Sequence, residues 1–175
     1  ASLAYLIPKQ QDSAGLVTFS DRIEAFIPPR AKRDYLTQIL HALEHRGPGG
    51  DTNVGKILEE IAGQVKRRGL IVLVSDLLDD PDAILKGQRH FRFKGNDVIV
   101  FHVLDQAELD LPFEGNILFE DLEAANLQVI ADPRAIRSTY QQVVQEFIGN
   151  VRKQCHDSAI DYQIISTATP LDRAL

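Results

Sequence analysis

Two short runs constrain this chain more than any other feature: Leu70 to Ser75 (LIVLVS) and Asp97 to Leu104 (DVIVFHVL). Both are dominated by apolar, largely β-branched residues, the composition of strands covered on both faces in a parallel sheet. Between them, Pro81 stands at a favoured first-turn position and Gly95-Asn96 forms a break, which predicts a helix to about Lys94. Strands alternating with helices predict an α/β sheet with helices on both faces.

The pattern extends along the chain. Gly15 to Ser20 (GLVTFS) reads as another buried strand. Ala25 to Ile27 reads as a short antiparallel neighbour that stops at Pro28-Pro29 and lies near a sheet edge. Helical spacing of Leu36, Ile39, Leu40 and Leu43 predicts a helix from about Lys32 to His45. After the loop Gly47 to Gly50, a second helix starts near Asn53, with Val54, Ile57, Leu58, Ile61 and Val65 on one stripe. Pro112 to Ala131 reads as a hairpin or small excursion, turning near Glu114-Gly115-Asn116. Asp132 is a natural N-cap and Pro133 a natural first-turn residue of the longest helix. Its stripe runs from Ile136 through Tyr140, Val143, Val144, Phe147, Ile148 and Val151 to Cys155. Asp161 to Ser166 closes the chain with a final strand. Residues 1–175 thus read as one domain, long enough for a single core.

Bulk properties exclude several functions. A net charge of −6 argues against nucleic-acid or anionic-membrane binding through bulk electrostatics. No apolar run approaches the ~20 residues of a membrane helix. The single cysteine excludes an internal disulfide and fits a reducing, cytoplasmic compartment. The chain starts Ala-Ser-Leu and contains no methionine, which reads as a piece of a longer polypeptide.

Ligands of open α/β sheets sit beyond the carboxyl ends of the strands, where Ser75 and Asp76 end the first apolar run. Asp76 is therefore the leading candidate site residue. Asp79, Asp80 and Asp82 crowd the start of the next helix, where acids cap and favour the positive helix end. In GPGGDTNVG, Gly47 to Gly55, Asp51 and Thr52 begin a helix behind a glycine-rich loop. The loop lacks the Gly-Lys-Ser/Thr ending of a phosphate loop. A hydroxyl and a carboxylate on neighbouring loops suit a hard cation such as magnesium.

Other motifs carry less. His41 to His45 (HALEH) matches a zinc-peptidase pattern, but the apolar stripe of its helix lies opposite both histidines, so they face solvent. Lys66-Arg67-Arg68 and Arg89 to Lys94 read as solvated basic helix ends, His102 as a packed core histidine and Cys155 as an inert core thiol.

In order, GLVTFSD, IPP, GGDTNVG before a helix, LIVLVSDLLDDP and DVIVFHVLD resemble the von Willebrand factor type A domain, most closely that of bacterial proteins associated with MoxR-type ATPases. PFEGNILFEDLE, Asp132-Pro133, the late cysteine and Ile160 to Tyr162 sharpen the likeness, which spans Leu3 to Leu175. The resemblance implies an open, mostly parallel, doubly wound sheet. It also implies a non-enzymatic domain that binds a partner protein, such as a MoxR-type AAA+ ATPase, through a metal-ion-dependent adhesion site. On residue-by-residue match Thr52 is the site threonine and Asp76 its aspartate, with Asp51 and Ser75 beside them.

One departure matters. The Asp-x-Ser-x-Ser element that follows the family's first strand occurs nowhere in these residues. The expectation is a sheet lacking its central strand, weak or absent magnesium binding by this chain alone, and self-association through the unfilled gap. The rival expectation is a magnesium-dependent phosphoesterase using Asp76, Asp79 and Asp80.

Overall fold

The computed structural model describes residues 12–20, 22–31, 35–44, 54–120 and 128–170. Strands β1 (Ala14–Phe19) and β2 (Ile23–Arg30) form an antiparallel pair, followed by helices α1 (Tyr35–Glu44) and α2 (Val54–Gln64). Then come β3 (Leu70–Ser75), α3 (Pro81–Phe93), β4 (Asp97–Leu104) and the short α4 (Gln106–Asp110). A hairpin of β5 (Ile117–Glu120) and β6 (Gln128–Ala131) precedes the long α5 (Pro133–Asp157) and the last strand, β7 (Asp161–Ser166). The architecture is mixed α/β, centred on a parallel three-stranded sheet in the order β3-β4-β7.

The core lies on one face of that sheet. The register sets Ile71 and Leu73 of β3 beside Val98 and Val100 of β4. Against them pack Ile57, Leu58 and Ile61 of α2, Ile84, Leu85 and Phe91 of α3, and Val151 and Cys155 of α5. Val17, Phe19 and Ile23 of the β1-β2 pair join the same cluster, while Ala14, Tyr35 and Ile39 form a small second one. The opposite face of β3 is open: Leu70 is 55% and Val74 59% exposed. The continuous apolar run was expected to be covered on both sides. Among the described residues it is covered on one.

β1 pairs only with β2, and β3 only with β4, so among the described residues no ladder joins the two sheets.

Four readings need correction. β2 does not stop at the prolines but runs through them to Arg30. It can do so because it pairs on one side only, and because the register slips between Ala14 and Leu16, opposite Pro28-Pro29. Only glycine fits that slip, since a Cβ on Gly15 would lie 2.8 Å from the Ile27 carbonyl oxygen. The hairpin does not turn at Gly115, which precedes β5 with φ +78°. β5 and β6 pair antiparallel, and the residues that join them, 121–127, lie outside the described residues. The α5 stripe is buried only in its second half, at Ile148, Val151 and Cys155, whereas Val143 is 59% exposed. α4 was not expected. Its signal is a capping box: the Asp105 side chain accepts from the first turn and Glu108 returns to the Asp105 N–H.

Candidate functional site

β3 ends at Ser75, and the next four residues form a tight hydrogen-bonded bend. The Ser75 hydroxyl accepts the Leu77 N–H at 3.1 Å, and the Asp79 N–H donates to the Leu77 carbonyl at 2.9 Å. Leu77 adopts a left-handed φ of +56° and is fully buried in the core cluster. That backbone costs about 1–2 kcal/mol for a non-glycine residue. Burying a leucine recovers about 1.5–3 kcal/mol, so the bend is held by its own side chain. With Leu77 turned inward, Asp76 points outward and is exposed.

The Asp76 backbone is tied to the core by His102. This imidazole is fully buried on β4, with Nε2 2.8 Å from the Asp76 carbonyl oxygen and Nδ1 2.6 Å from the Tyr162 hydroxyl. A carbonyl only accepts, so the ring proton sits on Nε2 and Tyr162 donates to Nδ1. Burial pushes the His102 pKa below the ordinary histidine value, opposed by its bond to the Asp76 carbonyl and by the Asp76 and Glu108 carboxylates. Burial likewise pushes the Tyr162 phenol up to about 12, against the nearby Arg152 guanidinium. Both groups are neutral at physiological pH. His102 was read as a packed core histidine; it is packed, edge-on to Phe147, and it also fixes the strand end. Its partner Tyr162 lies 60 residues away, a pairing with no sequence spacing to reveal it.

The acids after Asp76 divide by use. Asp80 caps α3 by accepting the Asp82 N–H at 3.0 Å, as expected. Asp79 departs from the helix-start role read for it. Its Oδ2 accepts the Val54 N–H at 2.6 Å, capping α2 across 25 residues, while Oδ1 accepts the Asp80 N–H at 2.7 Å. Asp82 receives the Gln154 side-chain amide at 3.1 Å, linking α3 to α5. Asp76 differs: among the described residues its Oδ1 makes only long contacts, 3.3 Å to the Leu78 N–H and 3.4 Å to the Ser75 hydroxyl.

Thr52 and Asp51 lie outside the described residues. Val54, two residues beyond Thr52, is the residue that Asp79 holds. His41 is exposed, in keeping with its solvent-facing reading, and His45 lies outside the described residues. Burial raises the Cys155 thiol to about 11, which keeps it protonated.

Magnesium takes oxygen ligands, keeps several waters and is usually held by one or two carboxylates. Asp76 and Ser75 fit in donor type. In number they fall short, because the Ser75 hydroxyl is engaged by Leu77 and no cluster of three metal-binding side chains occurs among the described residues. Of the triad Asp76, Asp79 and Asp80, Asp79 has both carboxylate oxygens on backbone amides, and Asp76 and Asp80 each use one oxygen among the described residues.

None of the described helices is long and apolar enough to cross a membrane. Among curated proteins there is no match to the chain. The crystal structure of conserved hypothetical protein BatB from Bacteroides thetaiotaomicron is similar to it, with a TM-score of 0.56 and 14% identity over 95% of this chain and 80% of that one. At that identity the likeness speaks for the fold alone. A family model described as protein of unknown function DUF58 matches residues 1–147. The chain therefore belongs to the DUF58 family.

Proposed function

We propose that this chain is a non-enzymatic, cytoplasmic protein-binding domain on an open, doubly wound sheet of the von Willebrand factor A type. Its carboxyl edge carries a magnesium-dependent adhesion site, with Asp76 and Thr52 as ligands and Asp51 and Ser75 in support. The observation that carries this reading is the division of the aspartates after β3. Asp79 uses both carboxylate oxygens on backbone amides and Asp80 caps α3, whereas Asp76 caps no helix among the described residues and is turned outward by the buried Leu77. A bound magnesium would supply a Lewis-acidic centre for a carboxylate of the partner. The described residues alone are too few to hold it, so the remaining ligands come from Thr52 and from an Asp-x-Ser-x-Ser element that these 175 residues lack. The partner that the resemblance favours is a MoxR-type AAA+ ATPase.

The test is binding of the full-length protein to a MoxR-type ATPase of the same organism, measured with magnesium and again with EDTA. The reading expects binding that EDTA and Asp76→Ala each weaken at least tenfold. Binding indifferent to both would mark a scaffold without a working metal site. Metal-dependent phosphatase activity lost with Asp76→Ala would replace the reading with an enzyme.

A further inference from the structure

At the amino edge of the sheet, opposite the bend that carries Asp76, the entrances to β3 and β4 are tied together. The Gly69 N–H donates to the Asn96 side-chain carbonyl at 3.0 Å, and the Asp97 N–H donates to the Gly69 carbonyl at 3.0 Å. Asn96 is buried, and its side-chain amide donates in turn to the Phe91 carbonyl at 3.1 Å. Beside this frame opens a recess of about 430 Å³. Lys66, Arg67, Arg68 and Lys94 line it, and no carboxylate does. Asp97, the acid nearest in sequence to these walls, is not among the lining residues, and its carboxylate pairs with Arg92 at 2.7 Å.

Helix ends explain part of this positive charge. The recess lies where α2 and α3 both finish, and a helix carboxyl end carries a partial charge of about −0.5. Two such ends amount to about −1, which a single cation offsets. Lys94 is that cation: its ammonium donates to the Ala62 carbonyl in the last turn of α2, and the residue itself is the C-cap of α3. Lys66, Arg67 and Arg68 are left over. Among the described residues none of the three has a carboxylate within ion-pair distance or a hydrogen bond. Holding three like charges around one recess is unfavourable, and an anion between them relieves the repulsion.

The walls narrow the choice of anion. No aromatic side chain lines the recess, so no base or ring is stacked there, and Val65 is its one apolar side chain. Recognition rests on charge. An arginine fork takes two phosphate or carboxylate oxygens at once, and lysine binds phosphate as a point charge. A carboxylate brings one charge, so an acidic peptide would need several acids converging into one concave site. Linked phosphates bring several charges within a few bonds. The volume agrees, since small-molecule sites span about 300–1,000 Å³ and a single phosphate would leave most of this recess empty. A nucleic-acid strand would carry further phosphates past the recess, over a chain of net charge −6.

We propose that this recess binds a compact polyphosphate anion, either free or as the phosphate tail of a nucleotide whose base stays in solvent. Arg67 and Arg68 take its oxygens, Lys66 adds charge, and Lys94 has ammonium protons to spare beyond the one given to Ala62. Arg68 lies flat against Gly95, where a Cβ would come within 2.7 Å of Nε, so a glycine there lets the guanidinium settle on the backbone. The site stands at the far edge of the sheet from Asp76 and does not rest on the role proposed for that residue.

Calorimetric titration of the full-length protein with sodium triphosphate, at low salt and without divalent metal, tests this. Two variants probe the recess independently. Arg67→Gln combined with Arg68→Gln removes two cations. Gly63→Glu adds an acid to the wall, at an exposed helical position where a Cβ meets nothing within 4 Å. It removes no contact, so it keeps the test open should thermal unfolding show the double variant to be misfolded. The expected result is one triphosphate per chain with a Kd of about 100 µM or tighter. Each variant weakens it at least tenfold, and Lys153→Gln, at an exposed position on α5, leaves it unchanged. ATP bound as tightly as triphosphate assigns the site to a nucleotide tail, whereas triphosphate bound and ATP refused assigns it to the free anion. No triphosphate binding at about 1 mM overturns the proposal. So does citrate bound as tightly as triphosphate, or an affinity that neither variant changes.

Discussion

The imidazole of His102 donates to the backbone carbonyl of Asp76 at 2.8 Å, so a buried ring on β4 holds the end of β3 from beneath. The bond needs the proton on Nε2, while Tyr162 donates to the other nitrogen. One neutral tautomer thus satisfies both ring nitrogens in a site where a charge would be desolvated.

That relationship has a pH signature. The folded-state pKa of His102 is depressed, so the unfolded chain takes up a proton first as pH falls. Stability from this group is intact above the unfolded value of about 6.5 and is lost as pH drops through it toward the folded value. The carboxylates whose pKa values are lowered, Asp105 and Asp132 among them, lose their contributions only below about pH 4. Thermal unfolding between pH 7 and 5 should therefore show a fall in Tm that His102→Gln removes. An equal fall in both proteins would mean that His102 is not its source.

Asp79 should act on α2, not on the helix that follows it. Replacing it with alanine removes the acceptor for the Val54 N–H and should cost about 1–2 kcal/mol. Hydrogen exchange should quicken in the first turn of α2 and stay unchanged in α3. Asp80→Ala should do the reverse, since its carboxylate accepts the Asp82 N–H inside α3. Equal effects of both substitutions on both helices would contradict this division.

The free edge of β3 is a third test. Among the described residues β3 has one ladder partner, β4, and a parallel strand directs alternate amides to each side. In dilute chain, alternate amides from Leu70 to Ser75 should exchange freely while their neighbours are protected. At higher concentration the free set should gain protection if the edge recruits a strand. Uniform protection of all six amides at monomeric concentration would show the sheet to be continuous through the gap.

What the sequence revealed was mostly local. LIVLVS and DVIVFHVL are strands with the boundaries read for them, as is DYQIIS, because β-branched runs specify their own backbone. The Asp132-Pro133 start of α5 is equally plain, since cap and first turn are adjacent in sequence. Long-range relations were not legible. Nothing near Asp79 announces that its carboxylate serves Val54, and nothing in DVIVFHVL announces Tyr162. Stripe length misled at α5, because amphipathic spacing shows which face is apolar but not how far along it a neighbour extends. The open face of β3 was misread for the same reason: an apolar run does not say whether both sides are covered.

The central claim is that Asp76 is a ligand in a magnesium site that these 175 residues do not complete. Calorimetric titration with magnesium tests it most directly, using the 175-residue chain and the protein with its native flanking sequence. The account predicts weak or no binding by the chain alone, and binding by the longer protein that Asp76→Ala lowers at least tenfold. Low-micromolar binding by the 175-residue chain, or binding by the longer protein that is indifferent to Asp76→Ala, would contradict it.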